Sequence, residues 1–427
     1  METRSNLSSV DPNEAARRRP QVVGALAGAL LVAVAMTASA CSSGSSSTAT
    51  SAPAATTSPT SSGAASTGGL PPVRHVFVIV LENQDYAATF GNPAADHYLA
   101  TTLPSQGALL SQYFGIGHAS NSNYIALISG QAPNPSNQAD CQVFADFPAG
   151  SAIGAGGQID GSGCVFPASV PTVAGQLDAA HLRWKGYMED MGNVASRESA
   201  VCGHPAVGAV DLTQHAVPSD GYVTRHDPFV YFHSIIDDTA LCNANVVPLG
   251  SATGALPPTA PKGTTGLATD LASVATTPNL SFITPNLCSD GHDAPCVNEG
   301  GAATAGANID AFLSAWVPRI TGSPAFKKDG LLIVTFDEAD IIGPGADATA
   351  CCNEQPGPAS ARPGISGPGG GRTGTLLLSP FIKGGTTSTV PYNHYSTLAT
   401  IEDLFGLSRL GQAATTSATF GADVFEH

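Results

Sequence analysis

The sequence has few basic residues. It contains 17 Lys and Arg against 33 Asp and Glu, which gives a formal net charge of −16 at pH 7. Residues 1–40 hold more basic than acidic side chains, so the rest of the chain is slightly more acidic still. A groove for nucleic-acid phosphates needs clustered Lys and Arg, and the chain after residue 40 has no such cluster. We therefore expect no nucleic-acid partner, and an anionic substrate would be held by a metal ion or by local hydrogen-bond donors.

No Cys-x-x-Cys spacing occurs among the nine cysteines, so the pattern gives little support to a cysteine-bound zinc. Cys41 stands apart near the N-terminus, and an even number remains at positions 141, 164, 202, 242, 288, 296, 351 and 352. Paired cysteines in an exported chain suggest disulfides. Cys141 with Cys164 and Cys288 with Cys296 are plausible local pairs. The adjacent Cys351 and Cys352 are expected to bond to different partners instead of each other.

One apolar run lies at the N-terminus. Arg17–Arg19 precedes a stretch from Val22 to about Ala40, which closes with small residues before Cys41. This order predicts a lipoprotein signal peptide over residues 1–40, with cleavage before Cys41 and lipidation of its thiol. The protein would then be a cell-surface lipoprotein on the outer face of the cytoplasmic membrane, or secreted. A transmembrane anchor is the alternative, since the run is nearly long enough to span a bilayer.

The sequence contains one linker and no internal repeat. Residues 41–69 are almost entirely Ser, Thr, Ala, Gly and Pro without charge, which predicts a disordered tether. Residues 70–427 are then expected to form one catalytic domain with long loops.

Two long apolar runs end in acidic or amide residues. Val76–Leu81 leads into Glu82 and Asn83, and Leu331–Phe336 leads into Asp337 and Glu338. Such runs suit strands that are covered on both faces, as in the parallel sheet of an α/β protein. Ligands collect beyond the carboxyl ends of these strands. Oxygens delivered there by two strands predict a site for a hard divalent cation.

Ser120 opens a short apolar segment that Gly130 ends, so it is expected at a helix N-terminus. The backbone N–H groups and dipole at that end favour a phosphate oxyanion, and Asn123 would share the face of Ser120. A nearby cation would lower the pKa of the serine hydroxyl. The alternative is that Ser120 only caps the helix.

Other segments complete the expected topology. Residues 173–181, 309–316 and 394–405 predict helices, residues 280–284 and 375–378 predict strands, and residues 228–232 predict a short strand or strand-like turn. The Gly- and Pro-rich stretches 131–170 and 341–372 predict a disulfide-pinned loop and a lid or wall beside the second acidic pair. His75, in front of the first strand, is expected to be structural.

Four segments occur in an order that resembles a known family. They are residues 75–83 (HVFVIVLEN), 118–130 (HASNSNYIALISG), 335–338 (TFDE) and 392–406 (YNHYSTLATIEDLFG). Together they resemble the bacterial phosphoesterase family of phospholipases C and acid phosphatases, a branch of the alkaline phosphatase superfamily. The resemblance covers the chain from about residue 73 to its end. It implies a three-layer α/β fold, with an alkaline phosphatase-like sheet flanked by helices and long disulfide-pinned loops.

The resemblance also implies roles for single side chains. Ser120 would be the nucleophile, Asn123 would hold the transferred phosphoryl group, and His292 or His394 would protonate the leaving group. Substrate contacts are expected from Asn83, His118 and His226. Metal ligands are expected from Glu82, Asn83, Asp337, Glu338, Asp293 and His394.

Two choices stay open at this level. The family usually has Pro where Ser122 stands, which leaves two serines, and Ser120 is preferred because it keeps the family spacing to Asn123. The cofactor would be one or two divalent ions, either calcium with mainly oxygen ligands or zinc if histidines take part.

The expected function is that of an exported, metal-dependent phosphoesterase of acid phosphatase type, which acts through a phosphoserine intermediate. The first alternative is a phospholipase C-type phosphodiesterase. The second is a non-catalytic, anion-binding surface lipoprotein. The partner would be a small phosphate ester or a phospholipid headgroup, with membrane contact through the lipid at Cys41.

Overall fold

A strand forms where each long apolar run predicts one. The computed structural model describes residues 69–426 except 95, 298–303, 344 and 417. The predicted signal peptide (1–40), Cys41 with its lipid and nearly all of the 41–69 tether lie outside the described residues. Within those residues, no helix combines the length and the apolar character needed to cross a membrane.

The described residues contain ten strands and eight α-helices. The strands are β1 His75–Leu81, β2 Ala108–Leu110, β3 Tyr113–Phe114, β4 Trp184–Met188, β5 Val246–Pro248, β6 Leu280–Thr284, β7 Gly330–Phe336, β8 Thr375–Leu378, β9 Thr386–Ser388 and β10 Tyr392–Asn393. The helices are α1 Ser120–Ser129, α2 Val173–Ala179, α3 His233–Ile236, α4 Thr239–Asn245, α5 Leu267–Asp270, α6 Ala305–Gly322, α7 Pro324–Asp329 and α8 His394–Phe405.

Eight strands form one sheet in the order β5-β4-β6-β1-β7-β8-β2-β9. The strands from β5 to β7 run parallel, and β8 is antiparallel to both of its neighbours. β1 therefore lies at the centre with β6 on one side and β7 on the other. The carboxyl ends of these three strands meet at one edge of the sheet, where ligands collect in such folds.

The two faces of the sheet pack into separate cores. Alternate side chains of β1 point to opposite faces, as the two-residue period of a strand requires. Val76, Val78 and Val80 join a cluster that includes α1, α2 and α8. Phe77, Ile79 and Leu81 join a second cluster with α5 and α6. The predicted three-layer α/β arrangement is confirmed.

Most predicted elements are confirmed within a few residues at their ends. The segment 228–232 is a correction, because Pro228–Tyr231 is a 3₁₀-helix instead of a strand. Pro228 stands at its first position, and the Asp227 side chain accepts a hydrogen bond from the Phe229 N–H, which is an N-cap.

Four disulfides link the cysteines of the described residues. Cys141–Cys164 and Cys288–Cys296 are bonded as predicted, and Cys202 is bonded to Cys242. Cys351 is bonded to Cys352, so the expectation of different partners for this pair was wrong. The other six cysteines bond to one another, which leaves these two no other partner among the described residues.

Candidate active site

The carboxyl ends of β1 and β7 bring the two predicted acidic segments together. The strands pair in parallel with Leu81 beside Phe336, so the residues that follow them start level at the edge of the sheet. The backbone N–H of Asn83 donates to Asp337 Oδ1 at 3.1 Å. The Glu82 and Asp337 side chains are completely buried. The two segments meet as the strand pattern predicts.

A third segment joins them from the loop after β6. The Glu82 N–H donates to the Asp290 carbonyl at 3.0 Å, and the Cys288–Cys296 disulfide closes the loop that carries Asp290. Asp290 faces the cluster, whereas the predicted ligand Asp293 accepts a hydrogen bond from His292 Nδ1 at 2.8 Å. Asp290 therefore faces the carboxylate cluster, where Asp293 was predicted as a metal ligand.

His226 lies between two buried carboxylates. Its Nε2 is 3.3 Å from Glu82 Oε1, and its Nδ1 is 3.4 Å from Asp290 Oδ2. Burial, aided by the Arg225 charge, lowers the pKa of His226 well below its usual value. A neutral imidazole has one N–H, so one of its nitrogens presents a lone pair to a carboxylate. His226, predicted to contact substrate, is thus placed as a candidate metal ligand with Glu82 and Asp290, whose nearest ligand atoms all lie within 4.8 Å.

Ser120 is the first residue of α1, as predicted. Its hydroxyl donates to Glu82 Oε2 at 2.9 Å. Ser122 instead donates back to the Ala119 carbonyl at 2.8 Å, so it supports the turn that begins the helix. Of the two serines, Ser120 is the one that faces the carboxylates.

The Asn123 and His118 side chains both contact the Glu338 carboxylate and the backbone around the start of α1. The Asn123 side-chain oxygen accepts from the Ile116 and Gly117 N–H groups, and its Nδ2 donates to the Gly117 carbonyl and to Glu338 Oε2, both at 2.9 Å. Both N–H bonds of Nδ2 are therefore used within the protein, and the phosphoryl contact of Asn123 stays a prediction. His118 is fully buried, with Nδ1 at 3.0 Å from Glu338 Oε1 and Nε2 at 3.0 Å from the Asp347 carbonyl. His118 braces the turn before α1 through these contacts, and its substrate contact stays a prediction.

His394 makes its contacts inside the protein. Its Nε2 lies 2.6 Å from the Asp337 carbonyl, and its Nδ1 lies 3.0 Å from the Tyr113 hydroxyl. Burial lowers the pKa of His394 to about 4. With both ring nitrogens engaged in a closed environment, His394 neither ligates an ion nor donates a proton to substrate in this arrangement. It holds the backbone that carries Asp337.

His292 and Arg225 lie on the more open side of the cluster. The His292 side chain is about one-third exposed, and its ring centre is 6.3 Å from that of His226. Its Nε2 lies 3.3 Å from Nη2 of Arg225, which can only donate, so Nε2 accepts and the ring proton is on Nδ1. The Arg225 Nε has no hydrogen-bond partner although it is buried. This Nε lies 3.9 Å from Asp140 Oδ2, so Arg225 is a cation paired at longer range with a carboxylate beside the site.

Burial raises the pKa of all four carboxyl groups at this edge: Glu82, Asp290, Asp337 and Glu338. The negative charge of Asp337 adds to the increase for the other three, and the pKa of Asp337 itself is raised to about 7. The Arg225 charge opposes the increase for Glu82, Asp290 and Glu338. Among the described residues, Arg225 is the cationic side chain that opposes this charge, so the site has an excess of negative charge.

Several atoms of the cluster also lack hydrogen-bond partners. They are Asp290 Oδ2, Asp337 Oδ2 and both ring nitrogens of His226. Burying a polar atom without a hydrogen-bond partner destabilises the fold, so these atoms indicate that a ligand binds here. Carboxylate oxygens with one imidazole are a donor set that divalent metals bind, and zinc accepts both atom types more readily than calcium. The residues therefore fit a divalent cation.

Sequence reasoning missed Asp290, Tyr124 and Arg225. Tyr124 donates its hydroxyl to Glu82 Oε1 at 2.7 Å and stacks on His226 with ring centres 5.0 Å apart. Its position four residues after Ser120 puts it on the same helix face, a signal that was available. Asp290 and Arg225 lie in loops, where sequence spacing does not fix the direction of a side chain.

The chain is similar to known proteins. The model of the family described as "Phosphoesterase family" matches residues 93–408. A phosphate-repressible acid phosphatase of Penicillium chrysogenum is 27% identical over 337 residues, covering 78% of this chain and 59% of that protein. A phosphatidylinositol-3-phosphatase of Mycobacterium tuberculosis is 26% identical and covers 82% of each chain.

The chain spans about three fifths of the length of the fungal acid phosphatases that it matches, 59% for the Penicillium protein and 60% for one of Aspergillus fumigatus. Among solved structures, the wild-type alkaline phosphatase PafA aligns with a TM-score of 0.44 and 11% identity, covering 84% of this chain and all of that one.

Proposed function

The chain belongs to the Phosphoesterase family, and we propose that it is a hydrolase that cleaves phosphate monoesters at the edge of the sheet where Glu82, Ser120 and Asp337 meet. The observation that carries the proposal is the Ser120 hydroxyl, which donates to a buried carboxylate at 2.9 Å beside a donor set suited to a divalent cation. A serine in this setting is a nucleophile with a positioned base.

The reaction would proceed through a covalent phosphoserine. Ser120 Oγ attacks phosphorus, its proton passes to Glu82 Oε2, and the bond between phosphorus and the leaving oxygen breaks. Water then attacks phosphorus and gives a proton to the base that protonated the leaving alcohol, while Glu82 returns its proton to Ser120 Oγ as the bond between phosphorus and this oxygen breaks. The N-terminus of α1 supports this role through its dipole, which stabilises the negative oxygens of the phosphoryl group. The Asn121 N–H in this first turn donates to Asp140 Oδ1 at 3.1 Å.

Two sources of positive charge would face the phosphate. Arg225 can turn its guanidinium from His292 towards it, since a guanidinium matches phosphate oxygens with two donors. A divalent cation held by Glu82, His226 and Asp290, with Asp337 as a further candidate ligand, would offset the charge of the phosphate and favour the serine alkoxide. The histidine in this set favours zinc.

The leaving alcohol needs a proton, for which we propose His292. His394 is enclosed, whereas His292 lies on the exposed side of the cluster. For Nε2 to donate, the ring must first take up a proton there, and Arg225 must move off that nitrogen. The approach of a phosphate favours both changes, because it attracts the guanidinium.

The related proteins named above are phosphatases by name, which supports a monoester substrate over the diester of a phospholipase C. A protein that only binds an anion does not need a serine hydroxyl that donates to a carboxylate, as Ser120 does to Glu82. Acid phosphatase activity is therefore the proposed function, and the diesterase and binding-protein alternatives become outcomes of its test.

We also propose that the protein is exported. Four disulfides among the described residues support an oxidising compartment. Anchoring through a lipid on Cys41 stays a prediction from the sequence.

The proposal is tested with purified protein, p-nitrophenyl phosphate and bis-p-nitrophenyl phosphate, with and without a chelator, while metal content is measured by mass spectrometry. We expect chelator-sensitive release from the monoester and bound zinc in the active protein. Release mainly from the diester would move the protein to the phospholipase C class. No release from either, with metal bound, would favour the binding protein.

A further inference from the structure

Four residues from separate segments form a closed ring of hydrogen bonds beside the proposed nucleophile. The Asn121 N–H, in the first turn of α1, donates to Asp140 Oδ1, and its side-chain Nδ2 donates to the Arg225 carbonyl, both at 3.1 Å. Gln214 Nε2 donates to the Asp140 carbonyl at 3.1 Å, and the Gln214 carbonyl accepts from Arg225 Nη1 at 2.8 Å. The ring therefore fixes Asp140 and Arg225 against the residue that follows Ser120.

Within this ring, the Asp140 carboxylate faces one edge of the Arg225 guanidinium. Asp140 Oδ2 lies 3.9 Å from Nε, and the Arg225 side chain is only 5% exposed. The nitrogen Nη1 is occupied by the Gln214 carbonyl, and Nη2 lies 3.3 Å from His292 Nε2 on the more open side of the cluster. Nη2 is thus the nitrogen that can donate to an incoming phosphate without breaking the ring.

Other carboxylates compete for the same guanidinium. The Arg225 charge lowers the pKa of three buried acids at the edge of the sheet, Glu82, Asp290 and Glu338. Without a counter-attraction, these acids would draw the guanidinium towards the candidate cation site. Asp140 supplies that attraction through Nε. Burial raises the pKa of Asp140, and the Arg225 charge and the Asn121 N–H oppose the increase.

We propose that Asp140 is a positioning residue for phosphate binding, which holds Arg225 so that Nη2 faces the phosphoryl oxygens beside Ser120. The inference rests on the proposed function and extends it to a residue that acts through Arg225 and not on the phosphate itself. The Cys141–Cys164 disulfide follows directly and anchors the loop that carries Asp140. The sequence predicted a disulfide-pinned loop here but gave it no role at the site.

The first test is Asp140→Asn. The amide oxygen of asparagine can still accept from the Asn121 N–H, and asparagine tolerates the left-handed backbone of this position, where φ is 52°. The change therefore removes the charge and keeps the ring. We expect KM for p-nitrophenyl phosphate and the inhibition constant of inorganic phosphate to rise about 5–10-fold, while kcat stays within about 3-fold. Asp160→Asn, at an exposed position of the same loop, is the control and should change neither.

A double-mutant cycle separates positioning from a merely structural role. Because Asp140 acts through the guanidinium, Asp140→Asn added to Arg225→Lys should lower kcat/KM by less than about 2-fold. If Asp140→Asn fails to fold, Asp140→Ser, which also keeps an acceptor without a charge, takes its place. Additive losses in the cycle, or an inhibition constant that the neutral variant leaves unchanged or lowers, would overturn the proposal.

Binding of inorganic phosphate, measured by calorimetry with the whole protein, distinguishes failure of this inference from failure of the proposed function. If the wild type binds phosphate without hydrolysing esters, the phosphatase proposal fails, and weaker binding by Asp140→Asn still supports the role of Asp140. If the wild type hydrolyses the ester and the variant binds phosphate equally well, only this inference fails. A wild-type protein that neither binds phosphate nor hydrolyses esters contradicts both.

Discussion

The two central strands, β1 and β7, have ionisable side chains at both ends. These groups are paired at the amino end and incompletely paired at the carboxyl end. At the amino end, His75 Nδ1 lies 2.5 Å from Asp329 Oδ1, and the pair is nearly buried. At the carboxyl end, Asp290 Oδ2 and Asp337 Oδ2 have no hydrogen-bond partner, and His226 lies between two carboxylates. The amino end is electrostatically complete, and the carboxyl end has an excess of negative charge.

This difference separates structure from function within one sheet. A paired charge stabilises the fold, while a group of buried acids with raised pKa values destabilises it unless a cation binds. Buried groups with shifted pKa values are concentrated at functional sites. Variants at the amino end should therefore change stability, and variants at the carboxyl end should change activity and metal content.

The largest effect is expected from Ser120→Ala. Loss of the proposed nucleophile should lower kcat by about 10³-fold or more while Tm stays near that of the wild type. Steady-state hydrolysis of p-nitrophenyl phosphate and thermal unfolding measure the two quantities. Ser122→Ala is the matched control, since it removes only a bond to the Ala119 carbonyl. If Ser122→Ala is the inactive variant, the nucleophile has been assigned to the wrong serine.

The comparison itself is tested by one Asp→Asn change at each end. Asp329→Asn breaks the buried pair with His75 and should lower the free energy of unfolding by about 1–3 kcal/mol. Asp290→Asn removes one of several like charges, so in chelator-treated protein it should cost less than about 1 kcal/mol, or stabilise. It should also reduce the metal content. Equal destabilisation by both changes in denaturant titrations would show that the two ends do not differ.

A smaller effect is expected from Arg225→Lys. Lysine keeps the charge but loses the planar set of donors, so kcat/KM should fall about 10-fold, mainly through KM. Arg183→Lys, an exposed position, is the control. An unchanged KM would remove Arg225 from phosphate binding.

The pH dependence of stability extends the comparison to a buried acid away from the site. Burial raises the pKa of Glu402 to about 9, against an ordinary value of 4.5. Between these values the folded protein holds a proton that the unfolded chain lacks. The stability that this proton contributes is therefore complete below pH 4.5 and is lost as pH rises to about 9. Over this range the free energy of unfolding falls by up to about 1.4 kcal/mol per pH unit.

Glu402→Gln should flatten that slope, because glutamine does not titrate. Denaturant titrations at several pH values measure it, with the exposed Glu426→Gln as control. A slope that Glu402→Gln leaves unchanged would mean that Glu402 is ionised in the folded protein.

The fold was largely predictable because its signals are periodic. The uninterrupted apolar runs of β1 and β7 require cover on both faces, and parallel pairing then brings Glu82 to Asp337 without further information. The position of Ser120 followed from the residues that begin and end α1. These inferences depend on backbone geometry, which local sequence determines well.

The histidines and loop acids were less predictable because their roles depend on side-chain direction. His394 follows a capping residue and turns into the core, where the Tyr113 hydroxyl and the Asp337 carbonyl occupy its two nitrogens. Asp290 and Asp293 belong to one turn, and only its folded path decides which of them faces Glu82. The stacking of His226 on Tyr124 is likewise a tertiary contact that no spacing reveals.

The most direct test of the account is to trap the covalent intermediate. The protein is mixed with a phosphate monoester, quenched in acid within one turnover, digested and analysed by mass spectrometry. The account predicts a phosphoryl group on Ser120, absent in Ser120→Ala and present in Ser122→Ala. A phosphoryl group on Ser122, or hydrolysis that proceeds at full rate without any phosphoenzyme, would contradict it.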